Sequence, residues 1–292
     1  MRRFRFAAVL RSAASAKQWS EQARRLESTG FDALYVPDHL VGDRLAPMVA
    51  LTAAACATST LRVGTLVLAN DFRHPAVLAK EAATLHLLSD GRLDLGLGTG
   101  WLAQDYAGSG LAFDPPGTRI ARLAEAITVL KGLWSGEPLT FHGEHYRIEA
   151  LRQQPSGRPR LLLGGGGRRL LELAAREADV INLASRVLPD GSGPDPADTG
   201  FAAKVDLLRA AERYDELELG TSVLQVGDAR PGRSWSFAQG SEGSPQVLPG
   251  TTRDVADKLR HWRSEHDIST YVLHYDDDLD RFTPVVEELS GT

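Results

Sequence analysis

Gly164-Gly165-Gly166-Gly167-Arg168-Arg169 is the most specific local pattern in the sequence. Four glycines between a leucine-rich run and a helical pattern let the backbone approach a ligand closely, and the free N–H groups of a helix start suit a phosphate. Arg168 adds positive charge. A flexible turn without a ligand is the competing reading. His39, beside Asp38, directly follows an apolar run of strand length and titrates near neutrality, which makes it a candidate proton donor or acceptor. A structural histidine bonded to a loop carbonyl is the alternative there. His274 ends another such run and is a candidate pocket residue, whereas His74, before Pro75, organises the entry to a helix. Phe72 and Trp101 sit in post-strand loops, where an aromatic either walls a flat ligand or covers the core. The histidines lack the H-x-H or H-E-x-x-H spacing of a metal site, so no metal is expected. The single cysteine, Cys56, lies in an alanine-rich helical stretch and is expected to be a buried, inert thiol; with no G-x-S-x-G elbow either, nucleophilic catalysis is unsupported.

The elements that must position these residues alternate. Residues 61–68 form a strand-length run, 75–88 place Leu78, Ala82, Leu85 and Leu88 on one helical face, and 92–98 form a second strand. This is a βαβ unit, which joins parallel strands through a right-handed crossover. Further strands are predicted at 4–10, 32–36, 160–163, 179–183, 217–226 and 270–274, with helices between them. Ser15 and Thr251, each followed by Gln or Asp three residues on, cap two of those helices. Eight strands in this order predict an α/β fold of one domain over residues 1–292, a single (β/α)8 TIM barrel with insertion loops at its C-terminal face. A doubly wound sheet has less support, because Gly96-Leu97-Gly98-Thr99-Gly100 lacks the third glycine of the dinucleotide fingerprint. Both architectures bind ligands at the C-terminal ends of their strands. Leu93, Leu95 and Leu97 share one face of their strand, while Asp94, Gly96 and Gly98 share the inward face and would leave room for a flat ligand. Residues 185–200, rich in Pro, Gly, Ser and Asp, are expected to form a mobile surface loop, and 228–250 a second one.

Bulk composition narrows the function classes. Of the 292 residues 42% are hydrophobic and 24% charged, ordinary globular values. A formal net charge of −5 argues against a nucleic-acid partner. No apolar stretch approaches the roughly 18 residues of a membrane span, and the apolar run between Arg5 and Arg11 is too short for an export signal. A cytoplasmic protein with a small-molecule substrate is expected.

Several motifs together carry a resemblance. The stretches STGFDALYVPDHL (28–40), LRVGTLVLANDFRHPAVLAKEAATLHLLSDGRLDLGLGTGW (61–101), RLAEAITVLKGLWSGEPLTFHGEHYRI (122–148) and RPRLLLGGGG (158–167) make the chain similar to the bacterial luciferase-like superfamily, within it the compact branch that uses the deazaflavin coenzyme F420. The resemblance implies a homodimeric barrel with F420, or alternatively FMN, lying across its mouth. By it Asp38 and His39 lie near the ring, with His39 a general acid or base. Thr65 and Leu66 match a bulge that buttresses the ring, often with a non-proline cis peptide; Thr99 and Gly100 match the loop along the cofactor; and Gly164 to Arg168 match the phosphate-binding turn. The sugar-phosphate dehydrogenases of this branch carry a glutamate where this chain has Trp101, which implies a more apolar substrate pocket lidded by the two long loops. The implied activity is F420-dependent hydride transfer to or from a small organic substrate. A reduced-FMN-dependent monooxygenase and a non-catalytic flavin-binding homologue are the alternatives.

Overall fold

The computed structural model describes residues 1–228 and 243–292. The chain begins with β1 (Arg5–Val9), α1 (Ala16–Ser28), β2 (Ala33–Val36), α2 (Pro47–Ala57), β3 (Arg62–Thr65), β4 (Leu68–Ala69), α3 (Pro75–Leu88) and β5 (Leu93–Gly98). It continues through α4 (Ala103–Ser109), α5 (Pro116–Trp134), the hairpin β6 (Leu139–His142) and β7 (Arg147–Leu151), then β8 (Arg160–Gly165), α6 (Arg168–Glu177) and β9 (Val180–Leu183). The last part holds α7 (Gly200–Arg209), β10 (Glu218–Val223), β11 (Gln225–Val226), β12 (Val247–Leu248), α8 (Thr252–His266), β13 (Ile268–Leu273) and α9 (Leu279–Leu289). Parallel strands run in the order β3-β2-β1-β13-β10-β9-β8-β5, and β5 pairs back onto β3. The sheet is therefore a closed eight-stranded barrel, as the alternation of elements predicts.

Leu93, Leu95 and Leu97 point outward into the layer between sheet and helices. Ala7, Val9, Ala33, Tyr35, Leu162, Val180 and Val272 form a separate inner cluster. Below it, at the N-terminal ends of the strands, lies a charged floor absent from the sequence reading. Arg62 holds Asp94 through Nε at 3.0 Å, Arg160 reaches Glu218 at 2.8 Å and Asp94 at 3.7 Å, and Tyr35 donates to Asp94 at 3.2 Å. Burial opposes ionisation of Glu218, but Arg160 and Arg5 overcome it and hold its carboxyl below the usual range.

The upper lumen differs from expectation. β3 breaks after Thr65, the Leu66–Val67 peptide is cis, and pairing with β5 resumes at β4. The Thr65 hydroxyl bridges the break, donating to the Gly96 carbonyl at 2.8 Å and accepting its N–H at 2.9 Å. Val67 fills the space that the small residues leave: a Cβ on Gly98 would lie 2.7 Å from its side chain, and one on Gly164 2.9 Å from it. The inward glycines thus accommodate the Val67 side chain, which takes up the space they leave. A Cβ on Gly96 would lie 1.9 Å from the Thr65 carbonyl oxygen. Gly96→Ala is therefore expected to destabilise the fold by about 3 kcal/mol, the upper end of ordinary overpacking. Urea denaturation measures this, and a loss well under 1 kcal/mol (about a third of that) would contradict the packing.

Two other expectations change, those for the end of the seventh strand and for Cys56. The strand predicted to reach Val226 leaves the barrel at Val223, and Gln225–Val226 pairs instead with Val247–Leu248. Residues 185–200 fold back on themselves: Leu188 and Asp195 donate main-chain bonds to Gly193 and Arg186 at 2.8 and 2.7 Å, and Arg186 pairs with Asp195. Of the second loop, residues 229–242 lie outside the described residues. Cys56 is exposed, because α2 is apolar all round and only one side of it faces the barrel.

Candidate functional site

The strand ends converge on one mouth. His39, immediately after β2, is largely buried, and its Nδ1 lies 2.6 Å from the Asp105 carboxylate on α4. The other Asp105 oxygen accepts the main-chain N–H groups of Leu40 and Val41 at 2.8 and 3.0 Å. One buried carboxylate therefore fixes both the imidazole and the loop that carries it. An ionised carboxylate accepts only, so the contact selects the Nδ1–H form and leaves Nε2 to accept a proton. Burial lowers the imidazole's proton affinity, Asp105 partly restores it, and the net value stays below that of an ordinary histidine. Trp101 stands edge-on to His39 with ring centroids 5.8 Å apart.

Asp38 turns away from this pair. Arg73 grips it through both guanidinium nitrogens, and the Ala69 N–H donates to Oδ2 at 3.0 Å. All of these bonds tie the end of β2 to the segment after the β3 break.

Thr99 and Gly100 lie against α4 and α5. Gly100 has φ +71°, and a Cβ there would meet the Tyr106 hydroxyl at 2.0 Å. That hydroxyl donates to Asp71 at 3.1 Å, which Arg122 also holds at 2.7 Å. Burial, and then Asp71, push the Tyr106 phenol well above its ordinary value, so it remains a neutral donor. Phe72 packs on Tyr106 with centroids 5.4 Å apart, and the Arg119 guanidinium lies 4.2 Å from the Phe113 ring centroid.

The glycine turn joins the end of β8 to α6. A Cβ on Gly165 would lie 2.1 Å from Leu170, and one on Gly166 2.1 Å from the Ala184 carbonyl, so close packing requires both. Gly167 differs: a Cβ there meets nothing within 4 Å. It is the N-cap of α6 and supplies no side-chain acceptor, which leaves the first N–H groups of the helix to solvent or a ligand. Arg168 is exposed and pairs with Glu172 at 2.8 Å.

Sequence comparison gives this mouth a family. The sequence model described as luciferase-like monooxygenase matches residues 3–193, well over half of the chain. The chain belongs to that family. Among luciferase-like relatives, the F420-dependent glucose-6-phosphate dehydrogenase of Nakamurella multipartita is 33% identical over 221 residues, 70% of this chain and 63% of that protein. The FMNH2-dependent dimethylsulfone monooxygenase of Pseudomonas fluorescens is 30% identical over 178 residues, 60% of this chain and 46% of its own. The chain thus spans less than two thirds of the curated relatives it matches. The coenzyme F420 dependent tetrahydromethanopterin reductase of Methanopyrus kandleri superposes with a TM-score of 0.77 at 15% identity, covering 99% of this chain and 100% of that one. This last likeness bears on the fold alone.

Within the luciferase-like barrel, His39 and Trp101 come together as predicted site residues, while Thr65 and Leu66 frame the break beside Val67. His274 directly follows β13, where its N–H donates to the Val223 carbonyl at 2.9 Å. His74 caps α3 by accepting the Ala76 N–H at 3.2 Å. Asp105, Tyr106 and Arg73 were missed. Asp105 lies four residues past Trp101 on a helix of only seven residues, too short for periodicity to reveal. No helix among the described residues is long and apolar enough to cross a membrane.

Proposed function

We propose that the protein is an F420-dependent oxidoreductase that moves a hydride between the deazaflavin and a small organic substrate. The observation that carries this reading is the buried His39–Asp105 pair, held at a barrel mouth whose family includes F420-dependent relatives. The Gly164–Gly167 turn and the open N-terminus of α6 fit the phosphate of such a cofactor, since the space beside Gly167 is clear and its N–H donors lack a capping side chain. Leu66 and Val67 fit one face of a flat ring. When bound, the cofactor supplies the carbon that gives or takes the hydride.

The protein's own part is the proton. Neutral at pH 7, His39 is suited to accept the substrate's hydroxyl proton at Nε2 as the substrate is oxidised, and Asp105 stabilises the imidazolium that results. Asp38 and Thr65 act through position: Asp38 holds Arg73 and the Ala69 N–H, and Thr65 holds Gly96. Trp101 limits water beside His39.

Titration of the purified protein with F420 and FMN, each oxidised and reduced and followed by fluorescence, tests the reading. Preferential binding of F420 supports it. Preferential binding of reduced FMN would replace it with the monooxygenase reading, for which the Pseudomonas fluorescens relative speaks.

The same reading includes a cytoplasmic homodimer. Val49 on α2, 73% exposed, and Leu88 on α3, 60% exposed, with Val77 and Leu87, give two adjacent helices an apolar outer surface. The free thiol of Cys56 on that surface suits a reducing compartment. Val49→Asp is expected to convert a sedimenting dimer to monomer; a parent protein that sediments as a monomer would refute the assignment.

A further inference from the structure

Two arginines at the barrel mouth stand apart from the rest. Arg11 follows β1, Arg44 lies between β2 and α2, and the Leu45 N–H donates to the Arg11 carbonyl at 2.9 Å, which sets the two segments side by side. Arg62, Arg73, Arg122 and Arg160 each hold a carboxylate, and Arg92 and Arg119 donate to carbonyl oxygens. Arg11 and Arg44 are as half-buried as most of these, yet among the described residues neither donates to a protein oxygen. The Arg11 guanidinium lies 5.2 Å from the Tyr275 ring centroid, just past β13, so it rests against one wall of the mouth. Asp276 and Asp277 are near enough to favour its charge and Arg44 near enough to oppose it. Arg44 also lies close enough to His39 to resist its protonation. A partly desolvated guanidinium whose N–H groups meet no acceptor is unfavourable, and its planar fork matches a carboxylate or phosphate bidentately.

We propose that Arg11 and Arg44 form an anion subsite beside His39 that holds a carboxylate or phosphate group of the substrate. This rests on the oxidoreductase reading and departs from the apolar pocket expected from Trp101. The anion anchors one end of the substrate while the carbon to be oxidised lies toward His39.

Benzoate, inorganic phosphate and the neutral control benzamide are titrated into isotope-labelled apo-protein, with the His39 ring nitrogens followed by NMR. F420 affinity is measured separately by fluorescence. A saturable shift with benzoate or phosphate, and none with benzamide, is the expected result; the tighter of the two anions names the class. The double substitution Arg11→Gln, Arg44→Gln is expected to weaken anion binding by about tenfold or more, as loss of charge-assisted hydrogen bonds predicts, and to leave F420 affinity unchanged. Arg11→Lys with Arg44→Lys, which keeps the charge, should retain part of the binding and controls for folding. Absence of a saturable shift, or a shift that survives the glutamine substitutions, overturns the proposal. So does a matching loss of F420 affinity, which would assign the arginines to the acidic tail of the cofactor. If the parent protein ignores F420 but still needs both arginines to bind the anion, the functional reading fails and the subsite stands.

Discussion

His39→Ala is expected to lower kcat by about 10²- to 10⁴-fold, the usual contribution of a positioned proton-transfer group, while F420 affinity stays near that of the parent. Among the described residues the imidazole is held by one carboxylate that no other side chain shares, so its removal leaves the barrel and the glycine turn as they are. Asp105→Asn provides the sharper test of how His39 works. A hydrogen bond to a charged group contributes about 1.5–3 kcal/mol, so kcat should fall by roughly ten- to a hundredfold. The pH profile separates this role from a merely structural one. Burial, with the nearby charge of Arg44, leaves His39 below the ordinary histidine value despite Asp105, so the rate of substrate oxidation should fall with acidification only below about pH 6.5. Asp105 raises the proton affinity, so its replacement moves that acid limb to still lower pH; a purely structural aspartate would leave the limb in place. The same depression affects stability. The unfolded chain binds the proton more tightly, so the contribution from His39 is complete above about pH 6.5 and declines as pH falls toward the folded-state value. Unchanged turnover in His39→Ala would remove the residue from the reaction.

Gly167→Asp is expected to move stability and affinity in opposite directions. Gly167 has the extended backbone of an N-cap at φ −81°, ψ 141°, and open space where a side chain would begin. An aspartate there should accept helix N–H groups and meet the positive end of the dipole, raising stability by about 0.3–1 kcal/mol. It would also place a negative charge where the cofactor phosphate is proposed to bind. Two like charges about 4 Å apart repel by roughly 1–4 kcal/mol between water and a protein surface, which corresponds to a loss of F420 affinity on the order of a hundredfold. Thermal unfolding and fluorescence titration of one variant read both effects. A stabilised protein that binds F420 unchanged would place the phosphate elsewhere. Gly165 and Gly166 would serve this test less well, because a side chain at either strikes Leu170 or the Ala184 carbonyl and the fold would suffer first.

The barrel was legible because it rests on periodicity. Leu93, Leu95 and Leu97 alternate with small residues, Thr251 and Asp254 form the capping box they spell, and α1 and α8 show their buried faces in the sequence. His39 and Trp101 were legible because they follow strands directly, and the geometry of parallel barrels sends such residues to the mouth. What escaped depends on pairs that only the closed fold assembles. Arg62 and Asp94, 32 residues apart, meet across two neighbouring strands. Asp105 reaches His39 across 66 residues from a helix that leaves no periodic trace. The meaning of the glycines also escaped, since an inward glycine predicts space but not which atom fills it. Residues 185–199 carry no helix or strand, in keeping with their Pro, Gly, Ser and Asp content, although Arg186 pairs with Asp195.

The isopropyl group of Val67 has a consequence for how this sequence can vary. Gly98 and Gly164, on two different strands, are small because that one side chain lies between them, and a Cβ on Gly96 would stand 3.2 Å from it as well. None of the three can gain a methyl group alone without a collision, and shortening Val67 alone would open a hollow at the centre of the barrel. These four positions are therefore one packing unit spread over three segments of chain. Divergent descendants should either keep the glycines with a valine-sized residue or exchange bulk for space at several of the four together, and a library built at the mouth will retain function most often where it treats them as a single site.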